Sequence, residues 1–292
     1  MLDFNVIANF KIRDFILNMQ ISNITTKSQN FGANLNSPKL KFKSKDFFVN
    51  INGFGKNIVW AHYIKDTANT TVSLIRKDTT FENILRFVTA GVTKANKYTL
   101  DILKKEHTGI LRTSRKDWRC NPEWHDIITE YGDRYSRYNS YAERLDRRIF
   151  YPLRNPYPDI NLTKPIAGID KTEPNYLLHG SFSTINAALD YVGKLYKNVA
   201  KYVKMDVKPE HLEDINNNIA EIRWVIAHAT PWERGSDAIA NVFIRSIYKA
   251  LGVKATPLKK GISLDLEAYC TNLSEYKKNF PNYFEKSPTV IM

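Results

Sequence analysis

The sequence predicts a mainly α fold, in which a helical C-terminal domain follows a smaller mixed α/β N-terminal region. Apolar residues recur every three or four positions along successive segments of the C-terminal half, which is the spacing of buried helical stripes. The N-terminal part instead carries short β-rich runs between polar stretches. The composition is 43% hydrophobic and 12% aromatic over 292 residues, enough for a sizeable core. We expect residues 1–110 to form the mixed region and residues 111–292 the helical domain.

The N-terminal region contains several weakly patterned elements. Residues 10–19 predict a short helix or strand, and the polar stretch 23–45 predicts loop or linker. Residues 81–89 have helical spacing. Three short runs rich in β-branched and aromatic residues predict strands, at 47–51, 58–63 and 71–75.

The C-terminal half predicts four helices in succession. The first covers residues 182–203. The second opens at Lys208-Pro209, and its apolar stripe runs from Leu212 to Ala229. The third runs from Ser236 to about residue 251 and closes at Gly252. The fourth covers residues 264–278. The second and third are joined by a short polar turn, which is the most informative stretch of the chain.

This turn has the features of a phosphate site. A helix N-terminus presents unpaired backbone N–H groups and the positive end of a dipole, which attract anions. Arg234 adds positive charge there, and Gly235 permits a backbone conformation that other residues resist. We expect Ser236 to cap the third helix and Asp237 to complement its positive end. Arg234, Gly235, Ser236 and Asp237 are therefore the predicted phosphate-binding residues.

The same stretch carries candidate catalytic groups. His228 ends the second helix, and histidine is the side chain most easily poised as acid or base near neutral pH. Glu233 follows in the turn, and Glu221 lies seven residues before His228, on nearly the same helix face. We expect His228 and Glu233 to be catalytic and Glu221 to contact the ligand. The alternative is an ordinary connection in which Pro, Gly and Ser stop, turn and cap helices.

The turn resembles the motif of Fic proteins, His-Pro-Phe-x-[Asp/Glu]-Gly-Asn-Gly-Arg between two helices. The resemblance spans about residues 180–285 and rests on His228, Pro231, Trp232, Glu233 and Gly235. It implies a mostly helical fold and the transfer of AMP or a related phosphate-containing group to protein hydroxyls. By resemblance His228 would be the base and Glu233 would hold a metal, so Mg²⁺ would accompany a nucleotide donor.

Two departures from that motif imply altered chemistry rather than standard AMP transfer. Ala229 and Thr230 stand between His228 and Pro231. The second Gly and the final Arg are absent, so Arg234 would supply displaced positive charge. The resemblance implies a divergent Fic/Doc-like member with a degenerate motif.

The net charge of +13 supports a different class of function. Residues 112–154 interleave arginines with aromatic residues, a composition that suits nucleic acid or an acidic partner. Asp and Glu residues neutralise much of this segment. A non-enzymatic binding protein that uses this face is therefore the alternative hypothesis.

Cysteines and hydropathy restrict the location. Cys120 and Cys270 lack metal-ligand spacing and suit a reducing compartment. No apolar run reaches the roughly 18 residues that span a bilayer, and no Sec signal peptide is recognisable. We expect a cytoplasmic protein or one secreted into a host cytosol. The predicted function is a bacterial effector or toxin, a transferase that uses a nucleotide or nucleotide sugar to modify a protein.

Overall fold

Seven α-helices account for most of the residues that the structure describes. The structure is a computed structural model, and it describes residues 41–48, 57–99, 107–112, 118–119, 164–165, 176–178 and 182–291. All of them belong to one unit, Asn36–Met292. The helices are α1 (Ile58–Arg76), α2 (Phe81–Thr99), α3 (Phe182–Ala200), α4 (Leu212–Ala229), α5 (Ser236–Ala250), α6 (Leu264–Cys270) and α7 (Leu273–Asn279). The predicted mainly α fold is confirmed.

Strands in the described residues are short and antiparallel. The first three, β1 (Trp118–Arg119), β2 (Lys164–Pro165) and β3 (Tyr176–Leu178), form a sheet in the order β1-β3-β2. Trp118 lies opposite Leu177, and Lys164 lies opposite Leu178. A second pair joins β4 (Val253–Lys254) to β5 (Thr289–Val290). Four short 3-10 helices complete the description: Ser44–Phe47, Lys201–Lys204, Pro209–His211 and Phe280–Tyr283.

Helix α4 lies at the centre of the core. It packs against α3, α5, α6 and α7, while α1 packs against both α2 and α5. Every residue from 219 to 229 is buried, so this part of α4 has no solvent-facing side. Such a helix is normally apolar all round. Here the buried stretch includes three ionisable side chains, those of Glu221, Arg223 and His228. They lie on the helix that leads into the α4–α5 connection.

The three predicted helices that flank the polar turn are confirmed as α3, α4 and α5. Helix α5 ends at Ala250, and Gly252 follows in a left-handed conformation with φ of 72°, as expected for a helix stop. The helical spacing at 81–89 is also confirmed, since α2 extends from Phe81 to Thr99. The periodicity was informative here because the apolar side chains of each helix recur every three or four positions.

The predicted strands at 58–63 and 71–75 are wrong, because both lie within α1. Ala61, Ile64, Ala68, Val72 and Ile75 are buried along one face of that helix. Packing of this face against α2 and α5 outweighs the β propensity of the Ile, Val and Thr residues. The predicted strand 47–51 begins inside the 3-10 helix Ser44–Phe47, and residues 49–51 lie outside the described residues.

The predicted fourth helix is two helices, α6 and α7. Thr271 adopts an extended conformation between them, with φ of −127° and ψ of 147°. Asn272 then caps α7, since its side chain accepts a hydrogen bond from the backbone N–H of Glu275. The cap residue explains the break. The division into 1–110 and 111–292 stays a prediction, and residues 10–19 lie outside the described part of the chain.

Candidate anion-binding site at the first turn of α5

The turn between α4 and α5 is held by a second segment, residues 107–112, which lies beside it. Four backbone hydrogen bonds join the two: Arg234 N–H to His107 O (3.1 Å), Gly109 N–H to Arg234 O (3.1 Å), Glu233 N–H to Ile110 O (2.9 Å) and Arg112 N–H to Pro231 O (2.8 Å). The turn is thereby fixed by a segment more than a hundred residues away in sequence. Nothing in the pattern of residues 107–112 signals this role.

Arg112 completes the attachment. Its side chain is buried, and Nε donates a hydrogen bond to the carbonyl oxygen of Thr230 at 3.3 Å. Its Nη2 donates to the carbonyl oxygens of Trp232 (3.3 Å) and Glu233 (3.4 Å). The guanidinium therefore satisfies carbonyl groups that a helix end and a tight turn would otherwise leave without partners. Arg112 supports the turn from inside the protein.

The backbone of the turn uses two left-handed residues. Thr230 ends α4 with φ of 41°, and Gly235 precedes α5 with φ of 91°. A Cβ atom at Gly235 would lie 3.2 Å from Cγ2 of Thr108, so both conformation and space favour glycine. These two residues reverse the chain and direct the N-terminus of α5 towards α4.

Ser236 does not cap α5 as the sequence predicted. Gly235 occupies the N-cap position, and no side chain there accepts a hydrogen bond from the helix. The Ser236 hydroxyl instead lies 3.3 Å from both the N–H and the carbonyl oxygen of Trp232. The N–H groups of the first turn of α5 therefore lack the usual side-chain cap, which leaves them suited to an external anion.

Arg223 of α4 faces this helix end from inside the core. Its side chain is 0% exposed, and Nη2 forms an ion pair with Asp237 in the first turn of α5, whose side chain is 32% exposed. The Nε and Nη1 atoms of Arg223 are buried and have no hydrogen-bond partner in the described part of the protein. Leaving such charged donors unsatisfied costs free energy. Arg223 was not among the residues predicted from sequence.

Arg234 contributes a second cation, three residues before Asp237. Its side chain is half-buried, and its Nε is buried without a hydrogen-bond partner among the described residues. Two arginines with unmade hydrogen bonds among the described residues thus lie close in the fold to the start of α5, and the carboxylates of Glu233 and Asp237 lie in the same stretch of chain.

Glu233 forms an accessible acid–base pair with His107. The Nδ1 atom of His107 and Oε2 of Glu233 are 2.6 Å apart, and the two side chains are 37% and 21% exposed. Because the carboxylate can only accept, Nδ1 carries the proton of this hydrogen bond. Both groups stand beside Arg234, whose backbone is bonded to that of His107. Sequence reasoning identified Glu233 but not its partner.

His228 lies in a different environment from Glu233. Its ring is 0% exposed and stacks on Trp224 with ring centroids 3.8 Å apart. Its Nδ1 lies 2.9 Å from the carbonyl oxygen of Trp224, so Nδ1 carries the hydrogen and Nε2 is the basic nitrogen. Burial lowers the pKa of His228 to about 4, so the ring is neutral at pH 7. The catalytic role of His228 stays a prediction.

Glu221 is engaged by two other helices. The hydroxyl of Tyr191 in α3 donates to its Oε1 at 3.0 Å, and Nζ of Lys277 in α7 lies 2.7 Å from its Oε2. The carboxylate is almost fully buried. Glu221 therefore links α3, α4 and α7, and its predicted role in ligand binding stays a prediction.

The described residues contain neither a cluster of metal-binding side chains nor a membrane-spanning helix. No group of three or more His, Cys, Asp or Glu side chains there is placed to hold a metal ion. No helix in the same part of the chain is long and apolar enough to cross a membrane. Only three residues of the basic segment 112–154, namely Arg112, Trp118 and Arg119, fall within the described ranges.

The fold and site define a mainly helical protein with a cationic, partly unsatisfied site at a helix N-terminus. The model of the AvrB_AvrC avirulence protein family matches residues 142–287 of the chain. The chain belongs to this family, which is a family of bacterial effectors. No curated protein matches the chain. The predicted assignment as an effector is thereby confirmed.

The resemblance to Fic proteins is wrong. The stretch on which it rested, residues 180–285, falls within the match to the AvrB_AvrC family, and nothing supports a Fic/Doc relationship. A His, a Pro, an acid and a Gly between two helices also serve structural purposes. Gly235 is required by its φ of 91°, and Trp232 is a buried core residue. Roles for the site residues must therefore come from their geometry.

Proposed function

We propose that this effector binds the phosphate of a nucleotide or nucleotide sugar at the first turn of α5 and transfers the attached group to a protein in the host cytosol. The observation that carries the proposal is the buried guanidinium of Arg223, whose Nε and Nη1 have no hydrogen-bond partner among the described residues and which lies beside a helix N-terminus without a side-chain cap. A phosphate oxygen would complete these hydrogen bonds.

Binding would use both arginines and the backbone. Arg223 and Arg234 would donate to phosphate oxygens, and the N–H groups of Gly235, Ser236 and Asp237 would add the helix dipole. Asp237 holds Arg223 through their ion pair, which fixes the orientation of the planar guanidinium. Glu233 and Asp237 are the two carboxylates beside the two arginines. Binding would therefore depend on the hydrogen bonds that the arginines leave unmade among the described residues, and on the N–H groups of the helix, rather than on an excess of positive charge.

Transfer requires a base for the acceptor and a stabilised leaving group. A protein hydroxyl would attack the donor while its proton passes to a carboxylate, and the bond to the leaving phosphate would break with the electron pair on that phosphate. Glu233 is the accessible carboxylate, and His107 holds it in place. Arg223 and Arg234 would stabilise the charge on the departing phosphate. Mg²⁺ would arrive on the donor phosphates, as it does in many nucleotide sites.

Ligand binding is tested first, by thermal unfolding of the full chain with a panel of nucleotides and nucleotide sugars, with and without Mg²⁺. A ligand at a hundred times its dissociation constant stabilises by about 2.7 kcal/mol. Arg223→Met and Arg234→Ala should abolish the shift, and Lys194→Ala, an exposed change on α3, should not. A panel without any shift would refute the nucleotide donor.

Chemistry is tested next, by mass spectrometry of host proteins incubated with the effector and the donor that binds. Glu233→Gln should keep the thermal shift and lose transfer by about a hundredfold or more, as expected when a general base is removed. His228→Asn separates the two candidate bases. Loss of transfer in His228→Asn with full transfer in Glu233→Gln would assign the base to His228 instead.

The alternative of a non-enzymatic binding protein rests on the net charge of +13. Its test is charge reversal at Arg144, Arg147 and Arg148 in the basic segment. Loss of binding to nucleic acid or to an acidic host protein, with donor binding unchanged, would support that function.

A further inference from the structure

A cationic pocket lies at the opposite end of α5 from the candidate anion-binding site. It has a volume of about 210 Å³ and opens between the 3-10 helix Ser44–Phe47, the last two turns of α5 and the chain that follows β4. Arg245 is eight residues beyond Asp237, so the pocket is about 12 Å along the helix from the first site. The cations that line it include Lys41, Lys43, Arg245, Lys249, Lys254 and Lys286.

Arg245 is the buried centre of this pocket. Its side chain is 2% exposed, and Nη1 donates to the carbonyl oxygens of Ala255 (3.3 Å) and Thr256 (3.2 Å). Its Nε and Nη2 are buried and have no hydrogen-bond partner in the described part of the chain. Burial lowers the pKa of Arg245 to about 10, which leaves it charged at pH 7. Arg245 therefore lines the cavity and keeps two buried nitrogens without a hydrogen-bond partner among the described residues.

Carboxylates near the pocket form no ion pair with Arg245 among the described residues, although the charge of Asp46 attracts that of Arg245 and opposes the lowering of its pKa by burial. Asp46 uses Oδ2 to accept the backbone N–H of Lys43 at 2.6 Å. Glu285 lies 3.6 Å from Nζ of Lys45. Seven cationic and two anionic side chains line the cavity. Such a concentration of like charge attracts a counter-ion of high charge density.

We propose that this pocket is a binding site for a small phosphate-bearing anion. The planar donors of arginine match phosphate oxygens, and the surrounding lysines act as point charges for further oxygens. Its volume is below the range of about 300–1,000 Å³ that encloses a drug-sized ligand. It therefore suits one or two phosphate groups rather than a nucleoside. The site is distinct from that of the proposed transfer reaction and does not depend on it.

Isothermal titration calorimetry with inorganic phosphate, pyrophosphate and tripolyphosphate tests this site. Titrations use the full chain and also the Arg223→Met variant, in which the first site is removed. Affinity should rise with the charge of the probe and fall with added salt. The Arg223→Met chain should retain one binding event, which separates failure of this site from failure of the first.

Variants then locate the binding event. Arg245→Met should weaken tripolyphosphate binding by about tenfold or more, the effect of losing charge-assisted hydrogen bonds. Because Arg245 also contacts two carbonyls, the exposed pair Lys254→Ala with Lys286→Ala gives a second measure and should weaken binding about fivefold. The matched control is Lys194→Ala with Lys197→Ala, which removes the same charge from α3.

The proposal would be overturned if the Arg223→Met chain bound neither the soluble probes nor vesicles that carry phosphate headgroups, or if the control pair weakened binding as much as the Lys254→Ala, Lys286→Ala pair. Vesicles of phosphatidylcholine with phosphatidylinositol bisphosphate distinguish the source of the phosphate. Co-sedimentation that is lost in the Lys254→Ala, Lys286→Ala chain, without binding of the soluble probes, would assign the pocket to a lipid headgroup. Binding of the soluble probes alone would assign it to a free phosphate ligand.

Discussion

Replacing Arg223 by methionine should abolish ligand binding and yet stabilise the free protein. The guanidinium lies in the core, and among the described residues Nε and Nη1 have no hydrogen-bond partner and Asp237, whose side chain is 32% exposed, is the one ionic partner. Methionine retains much of the length of the side chain and carries no donor. After the change, Asp237 can turn to solvent because it already lies at the surface end of the pair.

The magnitude follows from the hydrogen bonds that are missing. Each unsatisfied charged donor costs about 1–3 kcal/mol, so removing two relieves about 2–6 kcal/mol. Loss of the ion pair with the part-exposed Asp237 offsets about 1 kcal/mol. The reorganised side chain and its altered fit offset more, typically about 1–3 kcal/mol for a shape change in a core. We expect a net stabilisation of about 1–2 kcal/mol, seen as a rise in Tm of about 2–6 °C.

Arg112 provides the matched control, since it is a buried arginine that donates to three carbonyl oxygens of the same turn. Arg112→Met removes the donor of those three carbonyl oxygens and should destabilise the folded protein by about 3 kcal/mol or more. Urea unfolding and thermal scans without ligand compare the two variants with the parent chain. If Arg223→Met destabilises as much as Arg112→Met, then Arg223 is a structural residue and its assignment to ligand binding is refuted.

Two further changes test the turn and the buried histidine. Gly235→Ala should destabilise the protein by about 1–2 kcal/mol, because residue 235 has a left-handed backbone conformation. The loss should exceed that of Gly252→Ala, because the new Cβ would approach Thr108 only at position 235. Equal losses in urea unfolding would contradict this contact. The pKa of His228 is about 4 in the folded protein and about 6.5 in the unfolded chain. Between pH 6.5 and pH 4, only the unfolded chain therefore gains a proton at this residue. The free energy of unfolding falls as the pH is lowered through this range. The loss should approach about 3 kcal/mol by pH 4 and should be missing from the pH profile of His228→Gln, whereas an unchanged profile would place the titration elsewhere.

Periodicity predicted α3, α4 and α5 because apolar residues recur every three or four positions in each, and Gly252 marked the end of the third. The same reasoning applied to residues 58–76 would have found α1. There, runs of Ile, Val and Thr suggested strands, although the buried residues of α1 recur every three or four positions. Local propensity was a weaker guide than the burial that α2 and α5 impose. The break between α6 and α7 depended on Asn272, whose capping role is readable only beside a known helix start.

The sequence predicted the turn that forms the candidate site but not Arg223, the residue on which the proposed binding depends. The turn was singled out by Arg234, Gly235 and Glu233, which are adjacent in sequence. Arg223 was not among the predicted site residues, because sequence does not show that α4 is covered by four other helices. His107 and Arg112 reach the turn from more than a hundred residues away. Such contacts are set by tertiary packing, which a single sequence does not encode in any local pattern.

Three buried arginines of this chain differ in their hydrogen-bond partners, and this difference distinguishes a structural arginine from one that binds a ligand. Arg112 has carbonyl partners at the turn, as a structural arginine must. Arg223 and Arg245 each leave two nitrogens without a partner in the described part of the protein, and one lies near each end of α5. A core that retains such donors is less stable than one with an apolar side chain in their place. An external anion that completes the hydrogen bonds gives a physical reason for both arginines, and the two methionine variants test each end of the helix separately.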